Sequence, residues 1–263
     1  MEEIHGGDFY GEVINPSYGQ LILVEFWAPW CGPCKGLMQM LESIEQSDQF
    51  PILFTKIDID RYTDVALDYK VMGVPHTKIF ASGHPVASFS DSMSKPDIEL
   101  WIKSVMVLLS VLRYSHFQDW DVPVSEYIEA LQNKEKPYNF QDWVSLVLAK
   151  YFLIHDSSKG LEYLENISDE SEYFEDKLLL RDLYKLTETE FESNPIHRKL
   201  WAAKNSLLKM NFESTYQFLL QASRITDSVH EDAKLTLMGF HQFLGSHHEL
   251  NRKYQSQYDQ IIS

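Results

Sequence analysis

Apolar positions follow two different rhythms along the chain. Up to about residue 112 they come as short runs separated by turn residues. Leu21-Ile22-Leu23-Val24-Glu25-Phe26-Trp27 is such a run and predicts a strand, with a helix-like stretch from Gly36 to Gln49 after it. Ile98–Leu112 reads as a helix. Its first half can present one polar face, and its second half is apolar nearly all round, which predicts burial on every side and docking of the helical half of the chain on it. Beyond Leu112 the strand-like runs stop and helical spacing takes over. Candidate helices cover Ser125–Asn133, Phe140–His155, Lys159–Asn166, Glu172–Leu186, Pro195–Lys209, Glu213–Arg224, Val229–Leu244 and His247–Ile262. Asn194-Pro195 is a helix-start signal, and the short link Met210-Asn211-Phe212 implies an antiparallel pair.

Two of these helix pairs look alike. Trp143-Val144-Ser145-Leu146 leads to Gly160-Leu161-Glu162-Tyr163-Leu164, and Leu200-Trp201-Ala202-Ala203 leads to Ser214-Thr215-Tyr216-Gln217-Phe218-Leu219-Leu220. They loosely fit a helix–turn–helix repeat of the tetratricopeptide kind. The period is irregular and the consensus small residues are mostly absent, so a plain helical bundle stays open.

Length supports the same division. At 263 residues, two domains are expected, 1–112 and 113–263, each able to bury a core. The 44 % apolar content is ordinary. Net charge is −16, which argues against nucleic acid as a partner. The charge is uneven: the first two-thirds of the chain is strongly acidic, while residues 193–263 hold 8 basic and 6 acidic side chains. Solvated helix faces or contact with an acidic partner would both explain that end. Met1-Glu2-Glu3-Ile4-His5 lacks the basic start and apolar core of a signal peptide. The run Val105-Met106-Val107-Leu108-Leu109 is too short to span a bilayer, so no membrane association is expected. With one cysteine pair only, the expected compartment is a reducing cytoplasm.

That pair carries the candidate chemistry. Trp30-Cys31-Gly32-Pro33-Cys34-Lys35 places a C-x-x-C just past a predicted strand, opening a helix. A helix N-terminus favours negative charge and holds the first thiol as thiolate, the species that attacks a disulfide. Two cysteines cannot make a four-thiolate zinc site, and no nearby histidine pair completes a mixed one. A bridge between residues three apart closes too small a loop to stabilise much. An idle dithiol is the competing reading. Glu25 sits inside an apolar run, where a carboxylate is costly unless protonated or paired; it could also face water on an edge strand. Pro75 could hold a cis or a trans bond.

The segment Val24–Lys35 resembles the active-site strand and turn of the thioredoxin family. Thr55-Lys56-Ile57-Asp58-Ile59-Asp60 is similar to that family's third strand, and Val71-Met72-Gly73-Val74-Pro75 to its loop with a cis-proline. The likeness covers roughly residues 1–112 and implies an α/β thioredoxin fold. It makes Cys31 the exposed attacking thiol and Cys34 the buried resolving thiol, with no cofactor beyond this redox-active disulfide. Trp30 and Pro33 would shape the turn, and the Val74 backbone beside Pro75 would pair with an extended substrate. Glu25 stands where the family usually has Asp, a proton relay to the buried thiol; Lys56 would tune that acid. His76 follows Pro75 where Thr is common, and Asp91 stands where a glycine usually lines the groove. Reduction by thioredoxin reductase is therefore in question.

A thioredoxin-like domain followed by an all-α, tetratricopeptide-like helical domain resembles the bacterial chaperedoxin (YbbN/CnoX-type) family. That likeness implies a thiol–disulfide reductase that also holds client proteins through their cysteines or disulfides and passes them to the chaperonin and other refolding chaperones. The alternatives are a plain reductase whose helical half selects one substrate, and a helical adaptor with an idle redox site.

Overall fold

Seven consecutive residues, Leu21–Trp27, form strand β2, and all but Trp27 are buried. Burial on both faces is what a central strand requires. In the computed structural model β2 lies between β3 (Ile52–Asp58), parallel to it, and β4 (His76–Ala81), antiparallel. A two-residue strand β1 (Glu2–Glu3) extends the β3 edge and β5 (His84–Ser90) the other, giving the order β1-β3-β2-β4-β5. The structure describes residues 1–4, 8–90, 92–112, 128–129, 141–171, 173–188, 194–225, 230–245 and 248–263.

Side chains alternate across the sheet. Ile22, Val24 and Phe26 enter a core with Phe9, Val13 and Phe80. Leu21, Leu23, Glu25 and Trp27 occupy the opposite face. β3 ends two residues before the expected Asp60. The Ile59 amide donates to Trp27 O at 2.9 Å, and the Asp58 side chain accepts from the Asp60 amide at 2.9 Å, bending the chain into a turn.

Helix α1 runs Gly32–Glu45, starting four residues earlier than its apolar spacing indicated. Cys31 is the cap: its Sγ accepts from the Cys34 amide at 3.2 Å, and Pro33 fits a first turn whose amide needs no partner. Cys34, Leu37, Leu41 and Ile44 line its buried face. After the short α2 (Thr63–Asp68), β4 and β5 join through Ser82-Gly83, both at positive φ (52° and 86°). A Cβ on Gly83 would stand 2.6 Å from Tyr18 Oη. α3 (Lys95–Val111) is buried nearly all round in its second half, from Val105 to Val111, with Ser110 the partial exception.

The chain forms two compact units, the second taking in the described residues from Val107 onward. That unit is helical: α4 (Gln141–His155), α5 (Ser157–Glu165), α6 (Phe174–Glu188), α7 (Pro195–Leu208), α8 (Phe212–Ala222), α9 (His230–Leu244) and α10 (Glu249–Ile262). The candidate helix Ser125–Asn133 falls outside the described residues except for Ile128 and Glu129. Asp156, Asn194 and Asn211 cap α5, α7 and α8 through their side-chain oxygens. α7 closes on Met210 at φ 54°, with the Asn211 amide donating to Ser206 O and the Met210 amide to Leu207 O. α4 packs on α5 and α7 on α8, while α6 lies chiefly against α9. Gly239 permits the last approach, since a Cβ there would stand 2.3 Å from Leu179 O. His248 joins α10 to the end of α3: Nδ1 accepts from the Leu250 amide, and Nε2 bonds Leu112 O at 2.9 Å.

Candidate active site

The two cysteines form a disulfide with Cα atoms 5.4 Å apart at the first turn of α1. Cys34 is fully buried. Cys31, expected as the exposed member, is only 3 % exposed in this oxidised form. It is enclosed with Ala28 and Cys34 by Trp27, Met38, Ile59 and Val74. Trp30, by contrast, is 67 % exposed, its indole Nε1–H donating to Asp60 Oδ2 at 2.8 Å. This bond ties the active-site turn to the loop after β3.

The Val74–Pro75 bond is cis. Both residues line an open groove of about 430 Å³ with Lys70, Met72, Gly73, His76 and Ser90. Met72 stands 91 % exposed at this groove, so it and Trp30 offer apolar surface to solvent. His76 sits half-buried across from Phe26, with its Nε2 buried and without a hydrogen bond among the described residues. Burial, helped by the Lys78 charge, pushes its pKa down to about 4, so the ring is neutral at physiological pH. Asp91 lies outside the described residues.

Glu25 is completely buried on the central strand, not at an edge. It shares its strand face with Trp27, which packs against the Cys31–Cys34 cluster. Its pKa is raised to about 8 by burial, partly offset by a hydrogen bond from Thr77 Oγ1 to Oε2. Oε1 has no partner among the described residues. A carboxyl poised near neutrality can take up and release a proton there. Lys56 is opposite Glu25 across β2 and β3, with its ammonium 5.6 Å from the centroid of the Trp27 ring. Thr77 and Asp60 have no signal in the sequence, because each meets its partner through strand register or a turn across long separations.

A disulfide at a helix N-terminus, beside an exposed groove and a buried acid, defines a site built for thiol–disulfide exchange. The Thioredoxin family model matches residues 2–104. The chain is 31 % identical to the thioredoxin of Porphyra purpurea over 99 residues, 38 % of this chain and 91 % of that protein. It is 34 % identical to the mitochondrial thioredoxin of Bos taurus over 101 residues, 38 % of this chain and 60 % of that protein. It is also 32 % identical to the protein disulfide-isomerase A4 of Mus musculus, over 56 % of this chain and 26 % of that protein. The chain thus spans about 60 % of the length of the mitochondrial thioredoxins it matches. It belongs to the thioredoxin family. Among the described residues, no helix is long and apolar enough to cross a membrane.

Proposed function

We propose that the protein is a thiol–disulfide reductase of protein substrates whose helical unit binds the client. The observation that carries the redox part is the Cys31–Cys34 pair at the start of α1, with the Glu25 carboxyl buried on the preceding strand and its pKa raised to about 8. Reduced Cys31 attacks a substrate disulfide as thiolate, forming a mixed disulfide and expelling one substrate thiolate. Cys34 gives its proton to Glu25 and attacks Cys31 Sγ. The second substrate sulfur leaves as thiolate and is protonated, and the internal disulfide re-forms. Two electrons have passed to the substrate; a dithiol donor must return them.

Trp30, Met72 and the groove at Val74 and Pro75 supply the surface on which a substrate segment would lie. Binding by the helical unit, in the manner of chaperedoxins with tetratricopeptide-like pairs, draws support from the matching hairpins α4–α5 and α7–α8. Exposed Trp201, Leu208 and Met210 also support it. Cytoplasmic location and delivery to refolding chaperones belong to this same reading.

Insulin reduction by dithiothreitol tests the redox half. The full chain should accelerate it and the Cys31→Ser/Cys34→Ser variant should not; equal rates would leave the dithiol idle. The same variant should still suppress aggregation of a cysteine-free client. No suppression would leave the protein a plain reductase.

A further inference from the structure

Glu25 and Thr77 face each other directly in the antiparallel pairing of β2 with β4. Both are fully buried. The Thr77 hydroxyl donates to one carboxyl oxygen, Oε2, while the other, Oε1, has no partner among the described residues. A donor fixed on Oε2 leaves that oxygen as acceptor whether or not the acid is charged, so an added proton goes to Oε1. We propose that Thr77 is a positioning residue for the redox reaction: its hydroxyl orients the Glu25 carboxyl so that Oε1 receives the proton leaving Cys34.

This rests on the reading of Glu25 as proton acceptor for the resolving thiol. The step balances: the Cys34 S–H bond breaks, an O–H bond forms on Oε1, and the sulfur electron pair then makes the bond to Cys31. The other ionisable groups on the flanking elements are Lys56 and Asp58 on β3, His76 and Lys78 on β4, and Cys34, Lys35, Glu42 and Glu45 on α1, of which Cys34 alone lies on the buried face of that helix. Alternation puts Lys56 and Asp58 on the Glu25 face and His76 and Lys78 on the other. The Lys56 ammonium is over the Trp27 ring. That leaves the hydroxyl as the hydrogen bond that favours the charged form, opposing desolvation.

Removing the hydroxyl while keeping the shape therefore moves the acid further from neutrality. In Thr77→Val the Glu25 titration, read by ¹³C NMR of its labelled carboxyl in the oxidised protein, should move up by about one pH unit. The matching limb in the pH profile of substrate reduction should move with it, an approximately tenfold loss of carboxylate at fixed pH. Thr77→Ser should restore both. In a Glu25→Gln background Thr77→Val should leave the profile where Glu25→Gln alone puts it. If Val is not accommodated, Thr77→Ala makes the same comparison.

A limb that persists in Glu25→Gln overturns the reading of Glu25 and with it this proposal. A limb abolished by Glu25→Gln but unmoved by either Thr77 variant overturns the role of Thr77 alone. A shift of equal size in the Glu25→Gln background also overturns it, since the effect would not pass through the carboxyl.

Discussion

Replacing Glu25 with Gln should raise stability, increasingly so as pH rises. The side chain keeps its shape, and its amide oxygen can still accept from Thr77. An unfolded chain gives up the Glu25 proton near 4.5, whereas the folded protein holds it to about 8. Between those values folding takes up a proton, so wild-type stability falls as pH rises. Each unit is worth about 1.4 kcal/mol, so between pH 4.5 and 7 the wild type should lose about 3 kcal/mol relative to Glu25→Gln. The loss should level off above about pH 8. Other titrating groups are common to both proteins and cancel in the difference. The assay is urea unfolding of the oxidised protein at several pH values, followed by amide NMR at β2 and β4. That readout reports the sheet and not the helical unit, which can unfold separately. Parallel stability curves for the two proteins would show that Glu25 is not held in its neutral form, and proton exchange at this carboxyl would lose its physical basis.

Other expected outcomes concern the helical unit. Gly239→Ala puts a Cβ 2.3 Å from Leu179 O and should cost about 1–3 kcal/mol, read from thermal unfolding of the helices. Met210→Gly relieves a left-handed residue at the end of α7 and should raise stability by about 1 kcal/mol in the same measurement. Burial of His248 lowers its pKa, so its neutral form supports folding, and this contribution is lost as pH falls below about 6.5. His248→Gln should lower stability at pH 8 and flatten the decline between pH 6.5 and 5, seen in urea titrations followed by far-UV circular dichroism.

Local chemistry made much of this molecule legible from its residues. The apolar run Leu21–Trp27 is the central strand, and the C-x-x-C opens a helix because cap, proline and cysteine spacing act within one turn. Most of the helices of the second unit begin and end within a few residues of where spacing, Asn194-Pro195 and Asn211 place them. What stayed hidden depends on pairing between distant segments. Glu25 could have been a wet edge residue; only the strand order makes it central, and only the β2–β4 register supplies Thr77. The Trp30–Asp60 bond, the enclosure of Cys31 and the pairing of α6 with α9 are of the same kind. None is written in a window of neighbouring residues.

The central claim is that Cys31 attacks substrate disulfides and Cys34 resolves the product. Intact-mass analysis of the reduced Cys34→Ala variant, mixed with insulin and no other thiol, tests it directly. A one-to-one mixed disulfide on Cys31, released by added dithiol, is the expected product. Wild type should turn over without a lasting adduct, and Cys31→Ala should form none. Absence of the adduct in Cys34→Ala, or an equal adduct in Cys31→Ala, would contradict the claim.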